Sequence, residues 1–321
     1  MVESLVEETS EPLLVVILGP TGSGKTSLSV ALGRRFDGEI VSCDSVAVYR
    51  GLEIGSAKPS AEQRKLVPHH LLDVVDPDAF YTAGDYSRAA RKAIAGIVGR
   101  GGLPIVTGGT GLYLRALLQG LFPGPQRSAV LRDRLLRKAE TRGPLTLHRI
   151  LKRLDPASAT RIHANDTAKV IRAIEVTLAA SRPMSEAWKE GREALTGYRV
   201  LRLGLDPIRP QLYERINARA RAMFAQGLIE ETRELISRYG RTPVLDSLGY
   251  RQAAQHLAGA LTLEQAVAAA SQGHRNYAKR QLTWFRRESD VSWLNGFGDD
   301  PSLSAEAESL IAQRRAWRAN G

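Results

Sequence analysis

Apolar and polar positions along the chain fall into two alternating textures. Residues 13–18, LLVVIL, are continuously apolar and stop at a glycine-rich loop, which predicts a strand buried on both faces. The next stretch, SLSVALGRRF (27–36), switches to helical spacing, with Leu28, Leu32 and Phe36 on one stripe and Ala31 beside it. EIVSCDS (39–45) predicts a short second strand ending at Asp44. A helix over 83–101 turns Tyr86, Ala90, Ile94 and Ile97 or Val98 inward and stops at Gly101-Gly102. LPIVTGG (103–109) reads as another buried strand and TGLYLRALLQGL (110–121) as another helix. This alternation predicts a parallel sheet with helices on both faces. The proline-flanked HHLLDVVDP (69–77) reads as a loop.

After FPGP (122–125) the texture changes, and residues 127–197 carry helical patterns with no strand. YRVLRLGLD (198–206) returns to strand spacing at Val200, Leu201 and Leu203. One long amphipathic helix is predicted over 212–236, two more over 248–259 and 262–287, and a final strand in VSWLNG (291–296). The organisation expected is a tail (1–11), an α/β core made of 12–125 and 198–315, and a helical insertion over 126–197.

The composition, 43% hydrophobic and 25% charged over 321 residues, fits a globular chain with a sizeable core. No apolar run reaches the ~18 residues of a membrane span. The net charge of +11 and pI of about 10.0 point to a polyanionic partner, and among these nucleic acid is favoured over an anionic membrane surface. The single cysteine, Cys43, excludes an intrachain disulfide and a multi-cysteine zinc site, and suits a reducing, cytoplasmic compartment. The acidic N-terminus lacks the apolar core of a secretory signal and the arginine-rich look of a transit peptide.

Candidate chemistry begins where the first strand ends. Gly19, Pro20, Thr21, Gly22, Ser23, Gly24, Lys25 and Thr26 fit G-x-x-x-x-G-K-[ST], between a buried strand and an amphipathic helix as that motif requires. The glycines let backbone N–H groups turn toward phosphate oxygens, Lys25 adds a charge, the Thr26 hydroxyl is placed for Mg²⁺, and the helix N-terminus adds its dipole. The fold class expected is therefore α/β, a P-loop NTPase-like core with a parallel sheet flanked by helices plus a helical insertion domain. The motif says a diphosphate; it does not say that the diphosphate belongs to a nucleotide. P-loop NTPases usually place an aspartate at the end of a hydrophobic strand; here PIVTGGTG carries none, and Asp73 and Asp76 lie in the presumed loop. Asp44 falls at the carboxyl end of the second strand, where ligands bind in open parallel sheets. It is positioned either to take a proton from an attacking group or, with Ser45, to cap a short helix.

Seven motifs in order, GPTGSGKT, VSCDSVAVYRGLEIGSAKP, PHHLLDVVDP, VTGGTGLYLRALLQGL, RIHANDTAKVIRAIEV, SLGYRQ and NYAKRQLTWFRR, resemble the tRNA dimethylallyltransferases, the isopentenyl-tRNA transferase family, in its bacterial form. The likeness spans about residues 13 to 295. It implies transfer of a dimethylallyl group from dimethylallyl diphosphate to N6 of adenine 37, beside the anticodon, in tRNAs reading codons that start with U, assisted by Mg²⁺. The P-loop then holds the donor's diphosphate. The resemblance makes Asp44 the base for N6 and Thr110 a channel threonine near the reacting groups, a role compatible with capping the following helix. It assigns tRNA contact to Asp44, Ser45, Val46, Ala47 and Thr110; to Arg132; to Ala168, Lys169, Val170, Ile171 and Arg172; and to Gly249, Tyr250, Arg251, Lys279, Arg280 and Arg286. Arg275 and Arg280 are alternatively placed to reach the diphosphate. Trp284 and Phe285 read as core. A monomer is expected. The rival readings are a small-molecule or nucleotide kinase and a non-catalytic or ATP-driven RNA-binding protein; the basic insertion and C-terminal region disfavour a small acceptor.

Overall fold

A computed structural model describes residues 11–122, 124–125, 128–187 and 193–316. The first ten residues of the expected tail lie outside the described residues, as do 123, 126–127 and 188–192 within and beside the expected insertion. All six residues of β1 (Leu13–Leu18) are buried, as a run apolar on both faces demands. α1 (Lys25–Arg35), β2 (Gly38–Ser42), α2 (Ala61–Leu66), β3 (His69–His70), α3 (Ala83–Gly99), β4 (Leu103–Thr107) and α4 (Gly111–Leu118) follow. A group of helices comes next: α5 (Ala129–Arg142), α6 (Pro144–Leu154), α7 (Pro156–Arg161), α8 (Thr167–Ala180) and α9 (Met184–Ala187). The chain then forms β5 (Arg199–Leu205), α10 (Arg209–Ala225), α11 (Leu228–Tyr239), α12 (Tyr250–Leu257), α13 (Leu263–Phe285), β6 (Val291–Leu294) and α14 (Pro301–Ala316).

The six strands are parallel and lie in the order β3-β2-β4-β1-β5-β6, with β1 central. Leu14, Val16 and Leu18 pack on one face with Tyr86, Ile94, Leu117 and Phe285. Val15 and Ile17 pack on the other with Leu28, Leu32, Leu303 and Ile311. Each such side chain, taken wholly out of water, stabilises by roughly 1.5–3 kcal/mol, so β1 is anchored from both sides and its carboxyl end is a firm base for the loop that follows. By contact the chain divides into two compact units, Met1–Leu118 with Leu195–Gly321, and Gln119–Ala194. The seams expected from the sequence lie at 126 and 197. Leu195 N donates to Leu118 O (2.9 Å), which closes the first unit across the inserted segment.

Two elements differ from expectation. The stretch 69–77 read as a loop contributes β3, whose His69 and His70 pair with Ile40 and Val41; two residues carry no periodicity to detect. The long helix expected over 212–236 is two helices, because Gly227 takes a left-handed φ of 103° between them. In the inserted unit, Leu147, Leu151, Val170, Ile171 and Ile174 form a core of their own. Buried Asp155 ties its corner, accepting from Ser158 N (2.9 Å) and Ser185 N (2.8 Å).

Candidate active site

The loops after β1, β2 and β4 converge on one rim of the sheet. After β1, Gly22 and Gly24 hold φ of 82° and 85°, which turns the loop back on itself before α1 begins. Lys25 Nζ lies inside it, donating to Gly19 O (2.9 Å) and Pro20 O (2.8 Å). Burial, with Arg219 adding to it, lowers the Lys25 amine to about 7, against a smaller opposing pull from Asp44 and Cys43. The amine is thus poised to gain a full charge when an anion enters. The Thr26 hydroxyl makes no hydrogen bond among the described residues, and Mg²⁺ is commonly held by one or two protein oxygens plus substrate phosphates. No cluster of three or more His, Cys, Asp or Glu able to hold a metal occurs among the described residues. A single hydroxyl beside a phosphate cradle fits Mg²⁺ and would not make an all-protein metal cage.

After β2, Asp44 Oδ1 accepts from Val46 N (2.8 Å) and Ala47 N (3.1 Å). The short helix expected here, with Asp44 or Ser45 as its cap, is instead a turn over 45–48, and Asp44 caps that turn. It uses one oxygen only, and Oδ2 has no hydrogen-bond partner among the described residues, so capping leaves that oxygen available to accept a proton. After β4, Thr110 Oγ1 accepts from Ser45 N (3.0 Å) and lies 3.3 Å from Ser45 Oγ, joining the two loops. Cys43 between them is buried, and burial raises its thiol to about 12, so it stays protonated. Tyr277, held at about 12 by burial and by the Asp44 charge, donates to Gly109 O (3.3 Å).

The arginine that touches the cradle is Arg219 on α10, which donates to Thr21 Oγ1 (3.3 Å). Burial pulls it below the ordinary arginine range and the Asp44 carboxylate offsets part of that pull. Arg275, expected at the diphosphate, is instead turned to Asn217 and to Gln272. The correction has a plain cause: Arg275 takes two side-chain oxygens of α10 and α13, and the inward register of α10 offers Arg219. Arg219 was legible, since it lies with Leu212, Ile216, Ala220 and Met223 on the buried stripe. An arginine on an apolar stripe is the signal. His274 beside it is kept neutral, down to about 4, by burial and the Arg219 charge. Gln281, also missed, is 5% exposed and bonded to both the P-loop and the loop after β4.

The expected RNA contacts divide by burial. Ser45 and Val46 are half-buried on the rim, while Ala47 is buried. Arg251, Lys279 and Arg280 are exposed; Arg286 reaches Asp206 (2.9 Å). Gly249 and Tyr250 are corrections: Gly249 is buried at a φ of 90°, and Tyr250 is 0% exposed. The Tyr250 hydroxyl donates to Glu231 Oε1 (2.6 Å), and Glu231 in turn accepts from Ile54 N (3.0 Å). That motif therefore braces the 53–55 backbone from inside. In the inserted unit Val170 and Ile171 are fully buried, because α8 turns them into its core, and Ala168 and Lys169 remain outside. Arg132 and Arg172 lie 3.3 and 3.8 Å from the buried carboxylate of Glu175. Asp73 is held by Lys58 (2.5 Å) and Arg64 (3.1 Å), and Asp76 by Arg50 (3.4 Å). Phe285 is core and Trp284 partly buried, with the Arg115 guanidinium 4.4 Å over its ring.

The profile of the IPP transferase family matches residues 47–288, and that of isopentenyl transferase matches 12–76. A tRNA dimethylallyltransferase of Koribacter versatilis (strain Ellin345) is 64% identical over 303 residues, 94% of this chain and 99% of the relative. That of Solibacter usitatus (strain Ellin6076) is 50% identical over 302 residues, 94% and 98%. The crystal structure of the full-length tRNA isopentenylpyrophosphate transferase of Bacillus halodurans aligns with a TM-score of 0.71 at 36% identity, covering 96% of this chain and 98% of that one. A eukaryotic dimethylallyltransferase acting on tRNA aligns with a TM-score of 0.79 at 27% identity, covering 96% and 80%.

Proposed function

The chain belongs to the IPP transferase family, and from that premise we propose how its residues act. Its activity is that of a tRNA dimethylallyltransferase, forming N6-dimethylallyladenosine at adenine 37. The observation that carries the residue-level reading is one shared rim: Lys25 and Arg219 at the P-loop, and Asp44 with Oδ2 unengaged two loops away. In this reading Lys25, Arg219 and the Gly22–Thr26 amides hold the donor's diphosphate. As the allylic C–O bond breaks, charge grows on the leaving diphosphate, and preorganised donors stabilise it more in the transition state than before. The adenine amine is a weak nucleophile, since its lone pair is delocalised into the ring. Asp44 Oδ2 accepts a hydrogen bond from N6 and takes its proton as the N–C bond forms. Thr110, fixed by Ser45 N, lines the path between them.

Mg²⁺, held by Thr26 and the donor's phosphates, would supply added charge for the departing diphosphate. Adenine 37 leaves its stack to reach the rim. Arg251, Lys279, Arg280 and Arg286 of the core unit, and Arg132, Lys169 and Arg172 of the inserted unit, contact backbone phosphates. The tRNAs are those reading codons that start with U. We read the enzyme as a cytoplasmic monomer; among the described residues no helix is long and apolar enough to cross a membrane. The test is mass analysis of tRNA nucleosides after incubation of purified protein with dimethylallyl diphosphate. Prenylated adenosine is expected. Label moving from γ-ATP to a small acceptor, with none from the prenyl donor, overturns the reading.

A further inference from the structure

We infer that Gln281 is a positioning residue that sets the separation between the diphosphate cradle and the Asp44–Thr110 side of the rim. Its carboxamide spans the two: Oε1 accepts from Thr21 N (2.7 Å) and Nε2 donates to Gly109 O (2.9 Å). Thr21 belongs to the P-loop and Gly109 adjoins Thr110, so one side chain on α13 bonds to both half-sites. The site is built around it. A Cβ on Gly109 would sit 2.0 Å from Gln281 Nε2, so the amide fills the space that glycine leaves. One helical turn earlier, Tyr277 gives the same carbonyl a second donor. Thr21 is fixed from its other side as well, through its hydroxyl and Arg219.

The two contacts demand opposite polarity at the two ends of one short side chain, an acceptor toward Thr21 and a donor toward Gly109. A carboxamide supplies both, an ionised carboxylate supplies only the acceptor, and a protonated carboxyl restores both. Transfer needs the N6 nitrogen at near-attack distance from the allylic carbon while the diphosphate stays seated. Misplacement of about 1 Å can slow such a step by as much as ~100-fold. Gln281 touches neither reacting atom; it fixes the loops that do.

This inference rests on the transferase reading, and its test separates the two. Single-turnover rates, with donor and tRNA saturating, are measured for wild type, Gln281→Met and Gln281→Glu, alongside donor and tRNA Kd and melting temperature. Gln281→Met is expected to slow the single-turnover rate by roughly tenfold to a hundredfold, with both Kd values within about threefold. For Gln281→Glu the ratio of its rate to wild type should rise toward one as pH falls, as the carboxyl protonates against the Gly109 carbonyl. Taking the ratio removes the pH dependence that the two proteins share. Should Gln281→Met not fold, the pH-dependent ratio decides alone. A ratio flat with pH, an unslowed Gln281→Met, or a loss residing wholly in Kd overturns the role. A wild type that forms no prenylated adenosine overturns the transferase reading instead.

Discussion

Replacing Asp44 with asparagine separates the turn-capping that its carboxylate performs from the base role proposed for it. Oδ1 holds Val46 N and Ala47 N at 2.8 and 3.1 Å, and an asparagine carbonyl oxygen accepts from both equally well. The amide nitrogen that replaces Oδ2 takes no proton. Asp44→Asn should therefore keep its stability and lose the proposed base. The base contributes about 10²–10⁴ in rate, or ~2.7 kcal/mol of barrier at the lower end. Asp44→Ala removes the cap as well, adding a stability loss of about 1 kcal/mol, a melting shift of roughly 2–4 °C for a unit this large. The assay is single-turnover transfer of labelled dimethylallyl to tRNA, with thermal melts of all three proteins. The expected pattern is slow transfer in both variants and a lowered melting temperature in the alanine variant alone. Asp44→Asn turning over within threefold of wild type would remove the carboxylate from the chemistry and leave it only the turn.

Three further outcomes follow from the same rim. An amine lowered to about 7 is mostly neutral at pH 8, and diphosphate raises it again, so donor binding should take up about 0.9 proton at pH 8 and about 0.1 at pH 6. Calorimetry in buffers of different ionisation enthalpy reads this; equal uptake in Lys25→Met would show that the proton goes elsewhere. Arg219→Met should weaken donor binding by roughly tenfold or more through a lost charge-assisted contact, while fluorescence titration finds tRNA affinity unchanged; an unchanged donor Kd contradicts its placement at the cradle. Gly108→Ala should destabilise by about 1–3 kcal/mol, because its Cβ would meet Cys43 O at 2.1 Å, a backbone atom that cannot swing aside. Urea unfolding checks this, and a wild-type midpoint would mean that the two loops part freely.

The strands and the cradle were legible because each has a local signature. LLVVIL announces a buried strand, and a glycine-lysine loop between strand and helix admits few other uses. Asp44 was legible as a candidate from position alone, but position left base and cap as alternatives, and only the hydrogen bonds to one oxygen show that the cap leaves the other free. What the sequence withheld depends on contacts between distant segments. An apolar stripe marks Arg219 as unusual, but nothing local shows that it or Gln281 reaches Thr21, across 198 and 260 residues. Tyr250 and Ile171 lie in motifs shared with a nucleic-acid enzyme, yet they face inward, because a motif marks which residues matter and not which way they point. β3 escaped because two paired residues have no period.

The strand order carries a consequence for substrate size. β4 lies between β1 and β2, so the loops bearing Lys25 and Asp44 spring from strands two places apart. Neighbouring strands are about 4.8 Å from each other, which sets those springing points ~10 Å apart whatever the side chains do. The sheet acts as a caliper with fixed jaws, and in the proposed reading the glycines and threonine after β4 are its throat. An enzyme reshaped for bulkier donors would be found by altering that throat, since neither jaw can be shifted without rebuilding the sheet beneath it.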